Sequence, residues 1–234
     1  MYKYIKVSKI AHQFLLTLAR QEKRNAFTPT MVNEVYHAFQ QANADDAIKV
    51  VVLKAEGPIF CAGMDLKTFE NSNLDIKNPA IINQDISLGQ VFDSLLKPSI
   101  AIVEGNVIAG GFLFILGCTY VFCKTEVQFK LPELDLGLFP FQVMASLLKV
   151  MPEKQALQLC LQTDYFDAKK AKEYGIIDGF LEETFVESFI SSFTNKSTRA
   201  MKLGFESIRT LPDIDYSSRY AYLKQVLDKL KFSD

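Results

Sequence analysis

The chain opens on two short apolar runs between Tyr4 and Leu18, of which "HQFLLTL" is rich enough to form a buried β-strand. The stretch from Ala19 to Phe27 is polar and basic, hence a loop. Thr28 followed by Pro29 reads as a helix N-cap with proline at the first helical position. Met31, Val35, Ala38, Phe39 and Ala42 then share one helical stripe, and Asp45-Asp46 ends it. "IKVVVLKA" (Ile48 to Ala55) is a buried strand running into Gly57-Pro58. A second unit follows the loop "FCAGMDL" at Phe60 to Leu66. Glu70 to Pro79 is polar and aperiodic, which predicts a mobile surface segment, and Ala80 to Leu96 predicts a helix. Ser99 to Gly105 is a strand, "AGGFLFILG" (Ala109 to Gly117) a glycine turn opening a buried helix, and "YVFC" and "VQFK" are strands. From Pro140 onward the pattern is almost wholly helical, ending in an amphipathic stretch from Tyr216 to Leu230. These elements predict an α/β core of repeated strand–strand–helix units with a helical C-terminal part. The expected division is a core over 1–185 and a helical oligomerisation region over 186–234.

Composition narrows the function more than the fold. Lys and Arg number 26 against 27 Asp and Glu, a formal net charge of −1, so no field of one sign favours nucleic acid or an anionic membrane. No apolar run reaches the roughly 18 residues that a membrane span needs, and Met1 to Ile10 lacks a continuous apolar signal core. A cytoplasmic location is expected. Cys61, Cys118, Cys123 and Cys160 have no C-x-x-C spacing and read as buried free thiols. With only His12 and His37, no histidine-based metal site or nucleophile–base pair is easy to assemble, and no metal is expected.

Two turns carry candidate chemistry. Ala62-Gly63-Met64 and Ala109-Gly110-Gly111 each follow an apolar strand and precede a helix. A helix N-terminus presents unpaired N–H groups and positive potential, so such a turn suits an anion. Two facing one cleft would make an oxyanion hole. Each is equally a tight turn or a close helix–strand contact. Phe112 stands where a phosphate loop needs lysine, which excludes that motif. Downstream, Glu133 lies among Leu131, Pro132, Leu134 and Leu136. Desolvation there would raise its pKa and suit an acid/base, whereas a strand end pointing to solvent would not.

"RQEKRNAF" (Arg20 to Phe27), "FCAGMDL", "AIVEGNVIAGG" and "VQFKLPELDLGL" occur in the order and spacing of the enoyl-CoA hydratase/isomerase, or crotonase, family. "FDAKKAKEYGIID" (Phe166 to Asp178) also resembles that family's segment ahead of its C-terminal helices. The resemblance runs from about Phe14 to Leu203 and implies a crotonase-like spiral acting on acyl-CoA thioesters. Coenzyme A would be part of the substrate and no other cofactor is implied. The resemblance assigns the two oxyanion donors to the backbone N–H groups of Met64 and Gly110. It sets Lys23, Arg24 and Ala26 beside the adenine and phosphate end of CoA. Ala62, Asp65, Leu66 and Lys67 would run along the pantetheine. Leu113 would border the substrate, and Phe139, with Phe141, Met144 and Leu147, would line an acyl pocket or simply belong to the core. It also implies a homotrimer or hexamer with C-terminal helices at the subunit contacts.

The departure from the family pattern is at Leu113. Hydratases of the family carry a catalytic glutamate three residues after the glycine that matches Gly110, and a second one twenty residues further on. Here those positions hold Leu113 and Glu133. One carboxylate can take a proton from one carbon and return it to another, but cannot easily hold and deprotonate water as well. The resemblance therefore implies an isomerase that shifts a 3-enoyl-CoA double bond to the 2-position in fatty acid metabolism. A hydratase using Glu133 alone, a decarboxylase, and a non-catalytic acyl-CoA binder are the alternatives.

Overall fold

The computed structural model describes residues 1–232. A hairpin of β1 (Ile5–Ile10) and β2 (Gln13–Leu18) leads into α1 (Pro29–Ala44), whose N-cap is Thr28. The Thr28 hydroxyl accepts the Met31 N–H at 3.1 Å. Then come β3 (Val50–Ala55), β4 (Ile59–Cys61), α2 (Leu66–Glu70) and α3 (Leu88–Asp93). Next are β5 (Ser99–Val103), β6 (Asn106–Ile108), α4 (Phe112–Leu116), β7 (Tyr120–Cys123) and β8 (Gln128–Lys130). The C-terminal part holds α5 (Phe141–Leu147), α6 (Glu153–Cys160), β9 (Phe166–Asp167), α7 (Ala168–Glu173) and β10 (Gly179–Phe180). It closes with α8 (Glu183–Ser191), α9 (Thr198–Thr210) and α10 (Arg219–Phe232).

Strands sort into a six-stranded sheet, β1-β2-β3-β5-β7-β10, and a four-stranded sheet, β4-β6-β8-β9. In each pair β3/β4, β5/β6 and β7/β8, the first strand joins the large sheet and the second the small one. Successive pairs stack in parallel, which produces the spiral. Period-two alternation explains why the large sheet is buried on both faces. Val51, Leu53, Ala101, Val103, Val121 and Cys123 face the main core with α1, α3 and α4. Val50, Val52, Ile100, Ile102 and Phe122 face the other way and are covered by Val186 and Ile190 of α8. A boundary after residue 185 thus falls inside α8, a helix whose apolar face completes the core.

The segment before α3 departs from the sequence pattern. Residues 80–87 are not helical, and α3 starts only at Leu88, where Ser87 and Gln90 form a capping box. Local polar side chains hold the preceding backbone in another shape. Asn83 Nδ2 donates to the Asn78 and Ile81 carbonyls at 2.9 and 3.1 Å. Asn33 of α1 pairs with the Gln84 backbone, accepting its N–H at 2.9 Å and donating to its carbonyl at 3.0 Å. Nor is 70–79 a loose surface loop. Asp75 and Asn78 are buried, and Asp75 Oδ2 accepts the Thr30 N–H at 2.7 Å. Asn78 Nδ2 donates to Glu34 Oε1 at 2.7 Å. Glu34, fully buried, also accepts the N–H groups of Lys3 and Tyr4 at 2.6 and 2.9 Å.

Among the described residues from Pro140 onward, the regular elements are helices apart from β9 and β10. Helix α9 docks through Arg209, whose Nη2 donates to the Leu95 and Phe92 carbonyls at 2.6 and 3.2 Å. No residue of α10 is buried. The four cysteines are free, and Cys118 alone is only half-buried. Among the described residues no helix is long and apolar enough to cross a membrane.

Glu34→Ala removes the acceptor shared by three donors in a buried setting. It should lower stability by about 3 kcal/mol in denaturant unfolding and speed amide exchange across 71–87, since an unpaired buried polar group costs roughly 1–3 kcal/mol. Unchanged exchange in that segment would show that Glu34 does not hold it.

Candidate active site

Two backbone turns from different strand pairs meet in the middle of the molecule. After β4 the chain forms a single parallel bridge between Met64 and Phe27. In it the Phe27 N–H donates to the Gly63 carbonyl at 2.8 Å and the Asp65 N–H to the Phe27 carbonyl at 2.9 Å. The bridge uses the groups on either side of Met64, so the Met64 N–H faces away. Among the described residues it finds no protein acceptor. Gly63 has φ +92, and a Cβ there would lie 2.7 Å from Ala109 Cβ and 3.1 Å from Gly110 N. Only glycine permits both that backbone and that approach.

The opposite turn, Ala109 to Gly111, is one turn of 3-10 helix that runs straight into α4. Ala109 is itself held at φ 53. The Gly110 N–H stands at the head of this helix, where the first donors have no intrahelical partner, and it too lacks a protein acceptor among the described residues. A Cβ on Gly110 would lie 3.6 Å from Met64 N and 3.0 Å from Phe27 Cε1. Two unpaired amide donors are therefore neighbours, an arrangement suited to one oxyanion.

Both turns open into a cleft of about 1700 Å³ that Glu133 also lines. β8 delivers Leu131 and Pro132, and Glu133 begins a 3-10 turn closed by the Leu138 N–H donating to the Glu133 carbonyl at 2.9 Å. Glu133 Oε2 is buried and has no hydrogen-bond partner. Desolvation raises the carboxyl's pKa above the usual glutamate value, and a bond from its own backbone N–H only partly opposes the rise. Cys160 lies close behind. Burial first, then the Glu133 charge, push its thiol up to about 11. Leu113, one helical turn beyond Gly110, is buried yet still borders the cleft.

Lys23, Arg24, Ala26, Ala62, Asp65, Leu66, Lys67 and Phe139 border the same cleft, so all the residues singled out in the sequence converge on it. Lys23, Arg24 and Lys67 are exposed and form no ion pair among the described residues, leaving them free to meet an anionic group. Asp65 is different. Its Oδ2 lies 2.8 Å from Nη2 of Arg20, so that oxygen is already paired within the protein. No group of three or more His, Cys, Asp or Glu among the described residues is arranged to hold a metal ion.

The sequence profile of the enoyl-CoA hydratase/isomerase family matches residues 11–213. The chain belongs to that family. It is 26% identical over 214 residues to the peroxisomal bifunctional enzyme of Cavia porcellus, covering 88% of this chain but 28% of that protein. Against the hydroxycinnamoyl-CoA hydratase-lyase of Pseudomonas fluorescens identity is 28% over 231 residues, covering 93% of this chain and 82% of the relative. The fold matches the crystal structure of a probable enoyl-CoA hydratase/isomerase from Mycobacterium abscessus with a TM-score of 0.85. That match has 22% identity and covers 100% of this chain and 92% of the other.

This member of the enoyl-CoA hydratase/isomerase family also uses residues that the sequence pattern did not single out. Arg20 and Asn25 shape the loop between β2 and α1. Asn25 accepts the Arg20 N–H at 2.9 Å and donates to the Glu56 and Ile59 carbonyls at 2.8 and 2.9 Å. Both lie inside the quoted "RQEKRNAF" motif, where an arginine and asparagine among basic residues look like surface polarity. Gln142 reaches the cleft from α5 and Tyr165 from the loop just before β9, and no local pattern marks them.

An acid whose pKa is raised by folding lends stability while protonated and loses it as pH rises through the raised value. Glutamine does not ionise. Glu133→Gln should therefore melt above the wild type at neutral pH, with the difference vanishing below the ordinary glutamate pKa. Equal melting temperatures at every pH would mean that Glu133 is not desolvated.

Proposed function

We propose that the chain isomerises a 3-enoyl-CoA to a 2-enoyl-CoA, with Glu133 as the single acid/base and the Met64 and Gly110 N–H groups as oxyanion donors. The observation that carries this reading is that Glu133, whose buried Oε2 has no hydrogen-bond partner, and the alkyl side chain of Leu113 line the same cleft. Glu133 takes a proton from C2. The electron pair moves into the thioester carbonyl, whose oxygen becomes negative and accepts both amide N–H bonds. The charge then returns through the conjugated chain, and C4 takes the proton back from Glu133. The double bond has moved from C3–C4 to C2–C3, and the carboxylate is restored.

Each term has a physical source. Removing one oxyanion donor typically costs about 2.7–4 kcal/mol of transition-state stabilisation. A carboxyl with a raised pKa gives up and recovers a proton more nearly at parity with an activated carbon acid. Leu113 keeps the region over C3 dry, which favours return of the proton to carbon. The cationic Lys23, Arg24 and Lys67 at the rim suit the CoA phosphates. A hydratase using Glu133 alone is the second reading, favoured by relatives named for hydration.

Wild-type protein offered a 3-enoyl-CoA and a 2-enoyl-CoA separately should convert the first much faster than it hydrates the second, followed by chromatography of the products. Glu133→Gln should cut isomerisation by about 10²–10⁴-fold, the usual contribution of a positioned acid/base. Ready hydration of the 2-enoyl-CoA with the 3-enoyl-CoA untouched would replace the isomerase reading by the hydratase.

A further inference from the structure

We propose that Arg20 is a positioning residue that holds the Met64 amide in place, acting through Asp65. The proposal rests on the reading that Met64 and Gly110 donate to an enolate oxygen. Arg20 follows the end of β2 and is 7% exposed. Its guanidinium reaches both sides of the bridge that carries Met64. Nη2 lies 2.8 Å from Asp65 Oδ2, next to Met64 in sequence. Nη1 donates to the Ala26 carbonyl at 2.7 Å, next to Phe27. The plane is backed by the Tyr4 ring, 5.2 Å from Cζ to centroid. The Arg20 carbonyl accepts the N–H groups of Lys23 and Asn25 at 3.0 and 2.9 Å, so the residue is fixed from its own backbone as well.

The Met64–Phe27 bridge is isolated and has only two backbone hydrogen bonds. The Met64 side chain is exposed, and the short helix α2 follows at once. The backbone on each side is tied separately, the Ala62 N–H donating to the Arg24 carbonyl at 3.0 Å and the Asp65 carbonyl accepting the Thr68 N–H at 3.0 Å, and the Arg20 side chain is what joins the two strands of the bridge through side-chain contacts. A buried ion pair returns little net stability, because desolvation offsets its attraction. What a forked guanidinium supplies is direction, since two donors in one plane fix two partners relative to each other. Catalysis by an amide donor depends on direction, and a displacement of about 1 Å can cost on the order of 10²-fold in rate.

The test compares two ligands of the full-length protein by calorimetry. Acetoacetyl-CoA is acidic at C2 and can bind as an enolate, whereas butyryl-CoA has the same CoA and thioester but no enolate. Arg20→Met should weaken acetoacetyl-CoA by about 10-fold or more while butyryl-CoA changes by no more than about 2-fold, and the ultraviolet band of the bound enolate should fade. In turnover the same variant should lose kcat rather than gain KM. Arg20→Lys keeps the charge beside Asp65 without the fork and should fall between. Asp65→Asn should reproduce Arg20→Met, and the double variant should be no worse than the worse single one. If Arg20→Met does not fold, the lysine and asparagine variants carry the comparison. Equal losses for both ligands would assign Arg20 to CoA contact or to folding, and an unchanged preference would remove it from the site. Failure of the wild type to prefer acetoacetyl-CoA would instead overturn the oxyanion reading itself, whatever Arg20 does.

Discussion

The contact between Gly63 and the Ala109–Gly110 turn is the constraint on which the rest of the structure depends. Two amide donors must stay close to each other and unpaired, in a place where unpaired donors are unfavourable. In this fold the two donors come from two separate segments, each leaving one N–H unpaired. Here the donors come from the ends of β4 and β6, neighbours in the small sheet, each at the point where the regular pairing stops. The alternation of strand pairs between the two sheets brings those two ends side by side. The buried, double-faced large sheet then keeps them there.

Around that contact the protein uses polar ties where apolar packing cannot specify direction. Glu34 and Asn33 on α1 fix the segment that forms one wall of the cleft. Asn25, fully buried at φ 53, and Arg24, at φ 54, bend the loop back toward β4. Left-handed backbone at such residues is uncommon and must be held by its surroundings. The side chain of Asn25 supplies that hold through three hydrogen bonds to backbone groups.

Much of this was legible in the sequence, for reasons that differ by element. Strands β3, β5 and β7 are runs of β-branched and apolar residues between turn residues, and little else can be made of them. The Thr28-Pro29 start of α1 is local chemistry and was readable as such. The two glycine turns and Glu133 were recognisable as motifs, but their convergence is a product of the spiral and lies in no single stretch. The helix expected over Ala80 to Leu96 failed over its first half because partners distant in the chain, such as Asn33, outcompete local propensity. Asp65 lies in the turn that borders the cleft, and its pairing with Arg20, forty-five residues earlier, is not written in either stretch.

The donors of the cleft belong to the main chain, whereas Glu133 and Leu113 act through side chains. Codon changes at position 64 alter what surrounds the anion site without deleting its N–H, since every residue but proline retains that group. Gly63, left-handed and with its Cβ position 2.7 Å from Ala109 Cβ, is the residue that the contact itself requires. The two unpaired N–H groups are thus set by the fold, whereas the carboxyl and the alkyl group beside them are each set by a single side chain. A substitution at Leu113 or Glu133 changes the side-chain chemistry facing the cleft and leaves both main-chain N–H groups where the two turns put them.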